Sequence, residues 1–142
     1  MTIMEKDTEI NELDISYKEI KALEKCNSEI RYNYTLKRIA DTETLWSIVD
    51  QDGCFAIQTY NNKKFLPIWS SKEYAQAFCA NEWNNYKWIA ITLDSFEDSV
   101  IDFICQNGIL LNVFPTKLES LGKIKDLNTF AEDLSKFLED YQ

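Results

Sequence analysis

The chain has 142 residues, a length at which one core can bury roughly 68–70% of the unfolded surface, so a single domain is expected. Hydrophobic content of 45% and aromatic content of 13% support a packed core rather than global disorder. With 24 acidic against 15 basic side chains the formal charge is −9, which repels nucleic-acid phosphates and anionic lipid and leaves basic protein partners or plain solubility as its meaning.

No apolar run approaches the roughly 20 residues a membrane span requires, and the start "MTIMEKDTEINELD" lacks the basic and apolar regions of a signal peptide. A cytoplasmic location is therefore expected. The acidic stretch 1–15 reads as a flexible arm ahead of a domain over 16–142. Cys26, Cys54, Cys79 and Cys105 are widely spaced and form no CxxC pair, so they read as buried small hydrophobes and not as a zinc or redox site.

At Ser16 the pattern changes. "SYKE" matches a capping box with Ser16 and Glu19, and Tyr17, Ile20 and Leu23 follow at helical spacing, which predicts a helix ending near Cys26. Asn27 or Ser28 caps a second helix to about Asp41, with Ile30, Tyr34, Leu36 and Ile39 as its apolar stripe. "LWSIVDQDGCFAIQTYNNKKFLPIW" then divides at "DQDG" and "NNKK" into three β-rich segments, most simply an antiparallel meander.

Ser70 or Ser71 caps a helix through Tyr74 and Phe78, and "KWIAITL" alternates as a strand. Asp94 or Ser95 starts a helix that Gly108 stops. "ILLNVF" is a buried strand closed by Pro115. Asp126 or Asn128 caps a last helix with Leu127, Phe130, Leu134, Phe137 and Leu138 on one face. The expected fold is thus α+β: one domain with a mixed, mostly antiparallel sheet (a three-stranded meander plus two later strands) packed with four to five helices.

The chain contains no histidine. This removes Ser-His-Asp and Cys-His nucleophile systems, the usual zinc hydrolase sites and the commonest general base at neutral pH. Asp94, Asp98 and Asp102 recur at i, i+4 beside Glu97, but Phe96, Val100, Phe103 and Ile104 take the apolar stripe and turn those acids to solvent. Asp50 and Asp52 in "VDQDG" resemble the opening of a calcium loop, yet the glutamate that should close it is missing and a hairpin turn explains the same letters. With three glycines in all, a phosphate cradle is not expected either. Lys63 and Lys64 read as charges guarding a turn or edge strand. No metal or cofactor is expected.

The aromatics remain. Trp46 and Trp88 lie within apolar strands and read as core, while Trp69 and Trp83 sit at element ends, where an indole can be either half exposed or folded into a helix-to-sheet corner. "RYNYTLKRIADTETLWSIVD", "FLPIWSSKEYAQAFCANEWNNY", "ITLDSFEDSVIDFICQNGILLNVFPT" and "FAEDLSKFLEDY" together resemble the domain of unknown function 2750 family of small bacterial proteins, from Ile30 to Tyr141. The ordered positions that carry the resemblance are Tyr32, Trp46, Phe65, Pro67, Trp69, Tyr74, Ala75, Trp83, Phe114, Pro115 and Thr116. The resemblance implies a fold and a bacterial cytosolic origin, and it supplies no activity.

A non-enzymatic protein-binding module is therefore the expected function, possible partners including a basic toxin domain that an immunity-type protein would neutralise. Trp69, Tyr74, Trp83 and Tyr86 would anchor the partner and Asp50 and Asp52 would steer it. The alternative is a small-molecule sensor, or a histidine-free enzyme with a carboxylate and tyrosine pocket near Trp69. A homodimer formed through a strand edge is a third expectation.

Overall fold

The computed structural model describes residues 15–80 and 83–139; the expected arm lies almost wholly outside them. Helix α1 (Tyr17–Glu24) begins as the sequence predicts. The Ser16 hydroxyl accepts from the Glu19 amide at 3.2 Å and the Glu19 carboxylate accepts from the Ser16 amide at 3.5 Å. Helix α2 (Ser28–Thr42) is capped by Asn27, whose side chain accepts from the Ile30 amide at 2.9 Å. Its apolar stripe holds at Leu36 and Ile39, both fully buried, and fails at Ile30, which is exposed. Arg31 turns inward in its place.

The expected meander is only partly present. Strands β2 (Gln58–Tyr60) and β3 (Lys63–Ile68) form its hairpin, and Asn61 and Asn62 both take the positive φ that a two-residue primed turn needs. Strand β1 (Thr44–Val49) does not pair with β2. It runs antiparallel to β4 (Lys87–Thr92), Thr44 opposite Thr92 and Val49 opposite Lys87. The physical reason is burial: all six β1 residues are buried, and the three of β2 are not, so β1 sits between two neighbours while β2 lies at an edge. The other edge of β1 meets Trp69, whose amide and carbonyl exchange 2.8 Å bonds with those of Trp46.

The larger sheet has the order β2-β3-β5-β6 and is mixed, because β3 and β5 (Ile109–Val113) run parallel. Strand β6 (Lys123–Lys125) was not foreseen; it is short and pairs antiparallel with β5. Leu66, Ile68, Leu111 and Val113 share one fully buried face of this sheet. Helices α2 and α6 (Leu127–Glu139) belong to the same core through Leu36, Ile39, Phe130 and Leu134. The fold is α+β in one domain, as the order of elements predicts.

Helix α3 (Lys72–Phe78) takes Ser71 as its cap position, while the Ser70 hydroxyl is buried with no partner among the described residues. The helix after β4 is composite: α4 (Leu93–Ser95), one π-helical turn (Phe96–Val100) and α5 (Ile101–Asn107). Thr92 caps it, its hydroxyl accepting from the Ser95 amide at 3.2 Å, and Gly108 ends it with φ of 61°. Asp94, Glu97, Asp98 and Asp102 face solvent as expected. At α6 the cap is Asp126, which accepts from the Thr129 amide at 2.8 Å; this bond holds its carboxyl below the usual range.

Two cysteine expectations need correction. Cys79 is buried, and burial pushes its thiol up to about 11, but Cys54 and Cys105 are exposed because each lies in or beside a polar turn or solvent-facing helix surface. Trp88 also departs from its expected core position: it is 38% exposed, because β4 is an edge strand and Trp88 points away from the core that Ile91 enters.

Candidate functional site

The six residues expected to meet a partner separate into two groups. Trp69 is 0% exposed, and its indole N–H donates to the Pro115 carbonyl at 3.0 Å. Tyr74 is buried against Phe114, ring centroids 4.7 Å apart, with its hydroxyl 2.7 Å from that of Tyr34. Burial first, then the Tyr34 hydroxyl, drives the Tyr74 phenol well above its ordinary range. Neither side chain offers a surface to a partner, because each spends its polar atom inside the fold.

That interior is a closed network. Phe114 has φ of 56°, a left-handed conformation unusual for an aromatic residue, and it turns the chain sharply before Pro115. Arg31, 1% exposed, holds the turn: its Nε donates to the Phe114 carbonyl at 3.0 Å, one terminal nitrogen donates to the Cys26 carbonyl at 2.6 Å, and the other pairs with Glu119. The Thr116 hydroxyl accepts from the amides of Leu118 and Glu119. The sequence alone does not single out Arg31, since burial of a guanidinium depends on carbonyls that only the folded turn supplies.

Beyond the turn the chain is pinned to the sheet by Asn112, which is fully buried. Its amide nitrogen donates to the Gln58 side chain at 2.7 Å and to the Ser120 carbonyl at 3.0 Å, and its oxygen accepts from the Gly122 amide at 2.7 Å. Gly122 is close enough to the backbone that a Cβ there would fall 2.4 Å from the Val113 carbonyl oxygen. A buried amide satisfied in this way fixes the segment 119–122 rigidly over the end of β2.

Between that segment and β2 lies an open cleft of about 490 Å³, with Gln58, Thr59, Tyr60, Trp83, Glu119 and Leu121 among its walls. Trp83 is half-buried, stacked on Phe78 at 6.2 Å and edge-on to Tyr86 at 4.9 Å. Tyr60 is 58% exposed. Because Tyr60 and Lys63 flank a two-residue turn, they form a hydrogen-bonded pair, and the alternation of the ladder turns the N–H and C=O of Thr59 outward. The cleft thus offers an aromatic wall, an acidic group and unpaired backbone.

Of the remaining expected residues, Tyr86 packs edge-on against Trp83 and supports it from outside the cleft walls. Asp50 and Asp52 lie in the turn after β1, where the Asp50 carboxylate accepts from the amides of Asp52 and Cys54 at 2.9 and 3.0 Å, an Asx turn and not a cation loop. The register places that turn at the end of the β1–β4 pair next to Tyr86, since Val49 faces both Lys87 and Phe55. Among the described residues no group of three or more Cys, Asp or Glu side chains is arranged to hold a metal. No helix among them is long and apolar enough to cross a membrane.

A family model described as Protein of unknown function (DUF2750) matches residues 32–136. The chain belongs to that family. A search of curated proteins found no match. Within this DUF2750 chain the motif positions now have physical roles: Trp69, Tyr74, Phe114, Pro115 and Thr116 build the sealed turn, and Trp83 marks where it opens to solvent.

Proposed function

We propose that this chain is a non-enzymatic protein-binding module that receives an exposed basic segment of its partner in the cleft beside β2. The observation that carries the reading is that the half-buried Trp83 and the outward backbone of Thr59 share one open cleft, with Glu119, whose carboxylate already pairs with Arg31, at its wall. An amphipathic indole in a cleft is the common anchor of protein interfaces, and a chain of net charge −9 attracts a basic partner at long range. Asp50 and Asp52, beside Tyr86, add steering charge at the rim. A toxin domain with a basic surface, neutralised by an immunity-type protein in the cytoplasm of a bacterium, is the partner this charge fits.

Affinity capture from the native cell tests it, with the wild-type chain and Trp83→Ala as parallel baits. The expected result is a basic protein retained by the wild type, lost with Trp83→Ala and released by salt. Capture of nothing by either bait overturns the reading. A second reading rests on volume, because about 490 Å³ lies within the range of small-molecule sites. A co-purifying compound seen by native mass spectrometry, displaced in Trp83→Ala, would make the chain a ligand sensor instead.

A further inference from the structure

Strand β4 is the longest free edge among the described residues, and it is not blunted. Edge strands usually carry charge, proline or a bulge to discourage pairing. Here Lys87 is the single charged residue of six, and Trp88 and Ile89 are 38% and 39% exposed.

The hydrogen-bond parity of β4 is fixed by its neighbours. The Leu93 amide donates to the Glu43 carbonyl at 2.9 Å, which makes residues 43 and 93 a bonded pair one step beyond the ladder. Alternation along an antiparallel ladder then assigns Ile91, Ile89 and Lys87 to β1 and turns the N–H and C=O of Ala90 and Trp88 to the free edge. The same parity places Trp46 and Ile48 on the opposite edge of β1, and there they do bond, Trp46 with Trp69 and Ile48 with the Ala56 amide. Among the described residues no backbone group bonds the outward side of Trp88 or Ala90.

We propose that β4 pairs with β4 of a second copy of this chain, antiparallel and centred on Ala90. In this register the outward residues meet one another, Ala90 facing the partner's Ala90 and Trp88 facing the partner's Thr92. It sets Ile89 opposite the partner's Ile91 and covers the two exposed apolar side chains. A second copy fits the charge as well. The strand from Tyr86 to Leu93 holds no acidic residue despite the net charge of −9, and antiparallel docking brings Lys87 to the end of the strand from which the partner's Asp94 follows. The contact is isologous and closes at two copies. The cleft beside β2 plays no part in it.

Sedimentation equilibrium of the full chain from about 1 µM to about 1 mM reads the assembly, and amide hydrogen exchange at the two extremes reads the register. A monomer–dimer equilibrium is expected, with the amides of Trp88 and Ala90 slowed at high concentration and those of Ile89 and Ile91 slow throughout. Ala90→Pro deletes only an outward N–H, and Ile89→Lys charges the covered face; each should leave a monomer with an unchanged circular dichroism spectrum. A wild-type monomer over the whole range overturns the proposal. So does a dimer whose Trp88 and Ala90 amides exchange as fast as in the monomer, a result that needs no variant to fold.

Discussion

Trp69 and Trp83 both pack against the ring of Phe78, and they live in different surroundings. Trp69 is sealed, with its N–H on the Pro115 carbonyl; Trp83 is half open on the cleft. The difference lies in what the chain places behind each indole. Trp69 has the turn at Phe114, held by Arg31, while Trp83 has only the neighbouring Tyr86 and the edge of β2. An ordered motif of aromatics can therefore join a structural corner and an exposed surface within one signature. Shared membership of the motif does not mean shared work.

Substitutions put that contrast to the test. The largest effect is expected at Trp69→Ala, a loss of about 4 kcal/mol in urea unfolding, from the cavity and the stranded Pro115 carbonyl. Arg31→Met should follow at about 2–3 kcal/mol, because it leaves the buried Phe114 carbonyl without its donor. Trp83→Ala should cost about 1 kcal/mol in the same experiment while abolishing partner capture. Equal losses at the two tryptophans would erase the distinction. Trp88→Thr is expected to stay within about 0.5 kcal/mol at low protein concentration, since its side chain is exposed on an edge strand.

Alkaline titration tests the sealed side by another route. Burial raises the phenols of Tyr74 and Tyr32 above the ordinary value of 10, the second also through its bond to Asp133. A group that holds its proton more tightly when folded contributes stability that is complete below pH 10 and is lost as pH rises above it. The stability lost above pH 10, read by urea unfolding at successive pH values, should therefore be smaller in Tyr74→Phe, although that variant starts lower at neutral pH without the bond to the Tyr34 hydroxyl.

Local chemistry was legible in the letters, and long-range partners were not. Ser16 with Glu19, Asn27, the Asn61–Asn62 turn, Gly108 and Asp126 each act within four residues, so sequence spacing specifies them. The pairing of β1 with β4 depends on which strand buries both faces, and alternation within β1 alone does not say so. Trp88 looked like core for the same reason: apolar strand residues read alike at the centre and at the edge of a sheet. Asn112 gave no signal at all, because an asparagine in an apolar strand becomes a hub only when Gln58 and Ser120 arrive beside it. At the site, the spacing pointed to Trp83 and Tyr86 and could not separate them from Trp69 and Tyr74.

The β1–β4 ladder also sets a timetable. As the chain leaves the ribosome, β1 emerges well before its partner, with β2, β3 and α3 made in between. Six apolar-rich residues must wait with an unpaired edge until β4 is clear of the exit tunnel, and the parallel β3–β5 pair waits longer still. The first half of this protein can form its helices and its hairpin early, and its sheets are completed only when strands from the second half arrive.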